Sequence, residues 1–243
     1  MARIPSNPKE IFPEITEEYK GIFGDDLVSI ILYGSATGKD YRPGKSDINF
    51  MIVLSETGIG EIHKAVGTVE KWKKRRVATP LFLSKFYIET SMDVFPIEYL
   101  NFQGNHVMVY GEDVLKDLSF DREFLRLQCE REIKGKLLVL REAYLDSAGK
   151  GKALREVIRQ SVGTFAAIFR ALLFLKEKDC PSETREIVKA TCVVFDLNLS
   201  LFEKLLDIKE EKAKPGDETM QEIYADYLRE VRMLSKQIDA IGG

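Results

Sequence analysis

The chain has 243 residues, enough for one large domain or two modest ones, each with its own core. With 44% apolar and 31% charged residues it has a globular composition, which excludes a disordered chain. The net charge of −3 gives no global pull toward nucleic acid. No run of about eighteen apolar residues offers a membrane span, and Met1-Ala2-Arg3-Ile4-Pro5 is not followed by a signal-peptide core. The expectation is a cytoplasmic protein with neither a membrane nor a nucleic-acid partner.

In chain order, Pro8 to Phe23 places Ile11, Phe12, Ile15, Tyr19, Ile22 and Phe23 at helical spacing, and Gly24-Asp25-Asp26 ends the pattern. Leu27–Tyr33 reads as a buried strand that runs into Gly34-Ser35-Ala36-Thr37-Gly38. A loop containing Gly38, Pro43 and Gly44 then leads to Ser46-Asp47-Ile48-Asn49-Phe50, where a second strand, Asn49–Leu54, begins. Alternate residues of a strand share a face, so Asp47 and Asn49 look one way while Ile48 and Phe50 enter the core. Gly34 allows close backbone approach, and a short helix opened at Ser35 would offer free N–H groups to an anion.

A strand ending in Gly-Ser, followed about ten residues later by an acidic strand entrance, resembles the signature of the DNA polymerase β-like nucleotidyltransferase superfamily. Members of that superfamily open the second strand with Asp-x-Asp; here the second Asp is Asn49. The resemblance implies in-line attack on a nucleoside triphosphate (NTP), with Mg²⁺ stabilising both ends of the transfer. It assigns Gly34 and Ser35 to the triphosphate, with Lys39, Lys45 and Ser46 beside them in the loop. Asp47 becomes a metal ligand and Asn49 a weak one, because Mg²⁺ prefers charged oxygen ligands. Two unit charges 4 Å apart interact by about 4 kcal/mol at an effective dielectric near 20, and even a third of that weakens metal binding about tenfold.

After the second strand, Gly58 to Lys74 carries Ile59, Ile62, Val66, Val69 and Trp72 on one helical face. Its end, Lys71-Trp72-Lys73-Lys74-Arg75-Arg76, is the densest basic cluster and reads as a solvated helix terminus. Thr79-Pro80-Leu81-Phe82-Leu83 is a short strand, and Ser84 caps a helical turn through Ile88. Met92 to Leu100 and Val107 to Tyr110 read as further strands, with His106 at a strand edge. The superfamily draws a third carboxylate from a later strand, which makes Asp93 and Glu98 the candidates for metal ligand or catalytic base. An uninterrupted strand points the two to opposite faces, but Pro96 implies an edge or a bulge that undoes this parity, so both stay open.

From Asp121 onward strand signals vanish. Helical patterns cover Phe124 to Tyr144, Leu154 to Lys178, Pro181 to Phe195, Leu197 to Leu206 as an extension or a separate helix, and Ile223 to Ile238. The second is apolar on more than one face and is expected at the centre of a bundle. Cys129, Cys180 and Cys192 have no metal-site spacing and read as reduced packing residues. The predicted fold is α+β: a nucleotidyltransferase-type mixed β-sheet domain with flanking helices over residues 1–118, then an all-α bundle over 119–243.

This architecture resembles kanamycin-type antibiotic nucleotidyltransferases and the minimal nucleotidyltransferases paired with HEPN bundles. No histidine follows His106, so the Arg–His pair of HEPN ribonucleases is absent. The resemblance implies transfer of a nucleoside monophosphate from an NTP to a small-molecule or protein acceptor. The alternative is a non-catalytic nucleotide-binding or regulatory protein, with the bundle serving a homodimer or another partner.

Overall fold

A computed structural model describes residues 3–39 and 41–241. They divide into a sheet unit, comprising residues up to Asp93 together with Phe102–Ser119, and a helical unit, comprising Val94–Asn101 and the chain from Phe120 onward.

The sheet unit opens with a 3₁₀ turn, Pro8–Ile11, in which the Asn7 side chain accepts from the Lys9 amide and the Glu10 carboxylate accepts from the Asn7 amide. This capping box satisfies amides that have no partner inside the turn. Helix α1, Phe12–Phe23, continues from it. The sheet has strands β1 (Leu27–Tyr33), β2 (Asn49–Leu54), β3 (Leu81–Ser84) and β4 (His106–Gly111), in the order β3-β2-β1-β4. β1 is antiparallel to β2 and β4, while β3 runs parallel to β2, so the sheet is mixed. One face, carrying Ile30, Leu32, Phe50 and Ile52, shares a core with Ile11, Ile15, Tyr19 and Phe23 of the N-terminal segment and with Trp72.

The single covering helix expected over Gly58 to Lys74 is broken into α2 (Glu56–Gly60), a 3₁₀ turn (Ile62–Ala65) and α3 (Val66–Lys73). Its glycines at 58, 60 and 67 each weaken a helix by about 1 kcal/mol, which the apolar spacing does not register. Helix α4, Lys85–Thr90, is capped by Ser84, whose hydroxyl accepts from the Tyr87 amide at 3.1 Å.

The strand expected over Met92 to Leu100 is instead a turn followed by helix α5, Pro96–Gly104. Pro96 is the first helical residue, where its fixed φ and missing N–H are assets. Ile97 and Leu100 are buried at helical spacing, and the Ile97 amide, which has no carbonyl partner in a first turn, donates to Gln128 Oε1 at 2.8 Å. Asn101 donates to the Ile97 carbonyl at 2.6 Å and to the Ala167 carbonyl at 3.2 Å.

The helical unit holds α6 (Arg122–Asp146), α7 (Gly151–Leu175), α8 (Thr184–Val194), α9 (Leu199–Lys209) and α10 (Asp217–Asp239). α7 packs against the other four. It is long and apolar enough to cross a membrane by length and composition, but here that apolarity lines the core with Phe165, Phe169 and Leu172. Phe169 lies 5.8 Å from both Phe165 and Phe202, and Phe165 lies 5.9 Å from Tyr227. Both buried tyrosines place their hydroxyls: Tyr224 donates to the Leu140 carbonyl at 2.8 Å and Tyr227 to Ser161 Oγ at 3.2 Å. α9 is separate from α8, for the chain turns at Asp196 with φ +49° and Asn198 caps α9 by accepting from the Leu201 amide.

Candidate functional site

The sheet register brings the two halves of the Gly-Ser/Asp-x-Asn pattern to one end of the sheet. Tyr33, the last residue of β1, pairs with Asn49 on one side and His106 on the other. Just beyond it, Gly34 adopts φ +78° and opens a short 3₁₀ helix, Gly34–Thr37, one residue before the short helix expected at Ser35. A β-carbon built on Gly34 would lie 3.4 Å from the Asn49 amide nitrogen, so the turn and the strand entrance are in contact. Ser35 is exposed, whereas Ala36 is buried beneath it.

The turn is clamped from Asn105, the residue before β4. Asn105 donates to the Gly34 carbonyl at 3.3 Å, and the Thr37 hydroxyl lies 2.8 Å from that carbonyl and 2.5 Å from Asn105 Oδ1, its one proton serving one acceptor at a time. Burial raises the pKa of the Tyr33 phenol, and its ring meets Phe102 edge-on at 4.8 Å.

Among the loop residues, Ser46 closes its own turn: it accepts from the Arg42 amide at 3.0 Å, and its amide donates to the Arg42 carbonyl at 2.8 Å. Lys39 and Lys45 are exposed. Asp47 has an exposed carboxylate 3.3 Å from the Arg76 guanidinium. The chain pairs in parallel at Ile48 and Val77, both buried, which brings Asp47 and Arg76 side by side. Arg76 also donates to the Lys45 carbonyl at 2.7 Å, while its Nε is buried without a hydrogen-bond partner among the described residues. Its backbone sits at φ +66°, the left-handed residue that ends α3, a position usually filled by glycine.

The two third-carboxylate candidates lie off the sheet. Asp93 is exposed in the turn before α5. Glu98 is on α5 in the helical unit, where it accepts from Gln128 at 2.7 Å. The later strand beside β2 is β3, whose register sets Leu81 against Met51 and so on the Asn49 face. Leu81 is more than a third exposed and brings no oxygen. Among the described residues, no group of three or more His, Cys, Asp and Glu side chains is placed to hold a metal ion.

The remaining charged candidates are held by protein partners. His106 has Nδ1 at 3.0 Å from the Phe102 carbonyl and 3.1 Å from the Gln103 carbonyl, with Nε2 at 3.2 Å from Asp113. In the basic cluster, Lys71 pairs with Glu14 and Glu18, Arg75 with Glu14, and Lys73 with Glu70. The Trp72 indole donates to Glu18, and the Arg75 guanidinium lies 4.7 Å from the centre of its ring. The helix end is solvated, with Lys71, Lys73 and Lys74 exposed, and its charges are largely paired within the chain. Sequence reasoning did not single out Arg76 or Asn105: the first was one of six residues in a basic run, and the second carries no motif.

No family model matches the chain, and no curated protein matches it. Among solved structures, a spectinomycin adenyltransferase from Enterococcus faecialis, crystallised with ATP and spectinomycin, matches it with a TM-score of 0.51. The match covers 92% of this chain and 100% of that one, at 12% identity. The fold is a nucleotidyltransferase fold.

On a nucleotidyltransferase fold the expected cofactor is Mg²⁺, and the residues present do not fit it. Mg²⁺ sheds water reluctantly and needs convergent charged oxygens. Among the described residues the strand entrance offers one carboxylate, Asp47, already facing a guanidinium, with a neutral amide at Asn49.

Proposed function

We propose that this protein binds a nucleoside triphosphate at the Gly34–Ser35 turn and does not transfer its nucleotide, acting as a binding or regulatory protein on a nucleotidyltransferase fold. The observation that carries this reading is the donor set at the strand entrance: among the described residues it offers one carboxylate, Asp47, which faces Arg76 at 3.3 Å, with the neutral amide of Asn49 beside it. Support for the nucleotide comes from the exposed Ser35 over a left-handed Gly34, and from the cationic loop containing Lys39, Arg42 and Lys45. ATP is the first nucleotide to try, because the spectinomycin adenyltransferase was solved with it.

The test is isothermal titration with ATP, GTP, CTP and UTP, alongside mass spectrometry of ATP incubated with spectinomycin and related small acceptors in Mg²⁺. Binding without any nucleotidylated product is the expected result, and Asn49→Asp alone leaves the protein inactive because Asp47 still faces Arg76. A nucleotidylated acceptor from the unmodified protein would overturn the reading in favour of the second one, transfer to a small molecule. That second reading is favoured by the match spanning the whole of the adenyltransferase chain.

A further inference from the structure

We infer that Arg76 supplies the positive charge that a divalent metal would otherwise bring, so that this site binds polyphosphate without metal and Asp47 opposes that binding. The inference deepens the nucleotide-binding reading and rests on it.

The first support is position. Pairing at Ile48 and Val77 sets Arg76 beside Asp47, at the end of the sheet where Tyr33 pairs with Asn49 and the Gly34 turn begins. In a metal-dependent site the Asp47 carboxylate would turn to a cation, and here the cation it faces is a side chain of the same protein.

The second support is strain. A residue with a β-carbon in the left-handed region is uncommon and costly, and a helix end of this kind ordinarily takes glycine. Arg76 holds that conformation at φ +66°, with its amide donating to the Lys73 carbonyl at 3.1 Å and its carbonyl accepting from the Ile48 amide at 2.9 Å. Ala148, Glu177, Asp196 and Glu211 share this region among the described residues, and Arg76 differs from them in pairing into the sheet beside Asp47.

The third support is spare donor capacity. A guanidinium has five N–H donors, and Arg76 directs a single nitrogen, Nη2, at both the Lys45 carbonyl and one oxygen of Asp47, while its buried Nε has no partner among the described residues. Its contact with Asp47 is easily exchanged, because both side chains are substantially exposed, at 40% and 59%. A phosphate accepts two parallel N–H bonds from a guanidinium and carries more charge than a carboxylate, so it displaces Asp47.

This arrangement inverts the sign of one substitution. Where Asp47 holds a metal, Asp47→Asn loses affinity; where Arg76 holds the phosphate, Asp47→Asn removes a competing and repelling charge and gains it.

The experiment is isothermal titration of the full chain with ATP and with inorganic tripolyphosphate, each in EDTA and in Mg²⁺, for the unmodified protein, Asp47→Asn, Arg76→Ala and Arg76→Lys. Circular dichroism checks that each variant is folded. The expected result is metal-free binding, tightened about 5-fold by Asp47→Asn and weakened about 10- to 100-fold by Arg76→Ala, with partial retention in Arg76→Lys. Binding that requires Mg²⁺ and is lost in Asp47→Asn overturns the inference and leaves the nucleotide reading standing. Metal-free binding of tripolyphosphate with no advantage for ATP overturns the nucleotide reading and leaves Arg76 as a polyphosphate ligand. If Arg76→Ala does not fold, the direction of the Asp47→Asn effect decides, and absence of binding by both probes overturns both proposals.

Discussion

The two units are held together by different means. The helical unit is one continuous apolar cluster around α7, with aromatic rings in contact across three helices. The sheet unit has a smaller cluster, and its ladder carries a bulge between β1 and β4 and left-handed glycines at 34 and 111. Truncation therefore costs most in the helical unit, whereas in the sheet unit one added methyl in the wrong place does comparable damage. The candidate site lies in the sheet unit, at the left-handed Gly34 turn.

The molecule carries a separate reporter for each unit. Trp72, the sole tryptophan, is buried in the sheet unit, while the three cysteines all belong to the helical unit. Burial pushes the thiols of Cys129 and Cys192 up to about 12, so they label only on opening, unlike the exposed Cys180. Phe169→Ala should have the largest effect, about 3–5 kcal/mol in urea unfolding, with Cys129 and Cys192 reacting at lower denaturant before Trp72 fluorescence changes. Simultaneous change of both reporters would dissolve the distinction and make the chain one cooperative unit.

Gly111→Ala comes next, at about 2–4 kcal/mol, and should shift the fluorescence transition first. Gly111 has φ +79°, and an added β-carbon would lie 2.0 Å from the Val28 carbonyl oxygen. A neutral result would mean that the β1–β4 ladder contributes little to the sheet unit. Asp121→Ala removes the cap that accepts from the Glu123 and Phe124 amides, and should cost about 1 kcal/mol, read through the thiols.

The smallest effect concerns charge. Hydrogen bonds from Arg75 and Lys71 hold the Glu14 carboxyl below the usual carboxylate range. A depressed pKa stabilises the fold above the unfolded value, and this contribution is lost as pH falls through the folded value. Lys71 shifts upward through Glu18 and Glu14, so its contribution is lost only as pH rises through its raised value. Glu14→Gln should therefore cost less than about 1 kcal/mol at neutral pH and flatten the acid limb of a stability-versus-pH curve. An unchanged acid limb would show the network to be ornamental.

The elements that the sequence makes legible are those in which local chemistry and burial agree. β1 and β2 are continuous apolar runs bounded by turn residues, and their limits match the structure. The Gly-Ser turn and the Asp47–Asn49 entrance were legible because a motif fixes their order and the sheet fixes their register. Segment 92–100 was misread because a proline between apolar residues reads equally as a strand edge or a helix start. The deciding partner, Gln128, is distant in sequence. Arg76 was hidden for a related reason: its meaning lies in a parallel pairing between Ile48 and Val77, and local patterning carries no trace of it.

The clamp on the Gly34 carbonyl also has an entropic consequence. β1 and β2 are near neighbours in the chain, but Asn105 reaches back across 71 residues to bind the turn that ends β1. Closing that loop costs more entropy than closing the β1–β2 connection, so the clamp is conditional on β4, and an incomplete chain lacking β4 would carry the whole motif with a loosened turn.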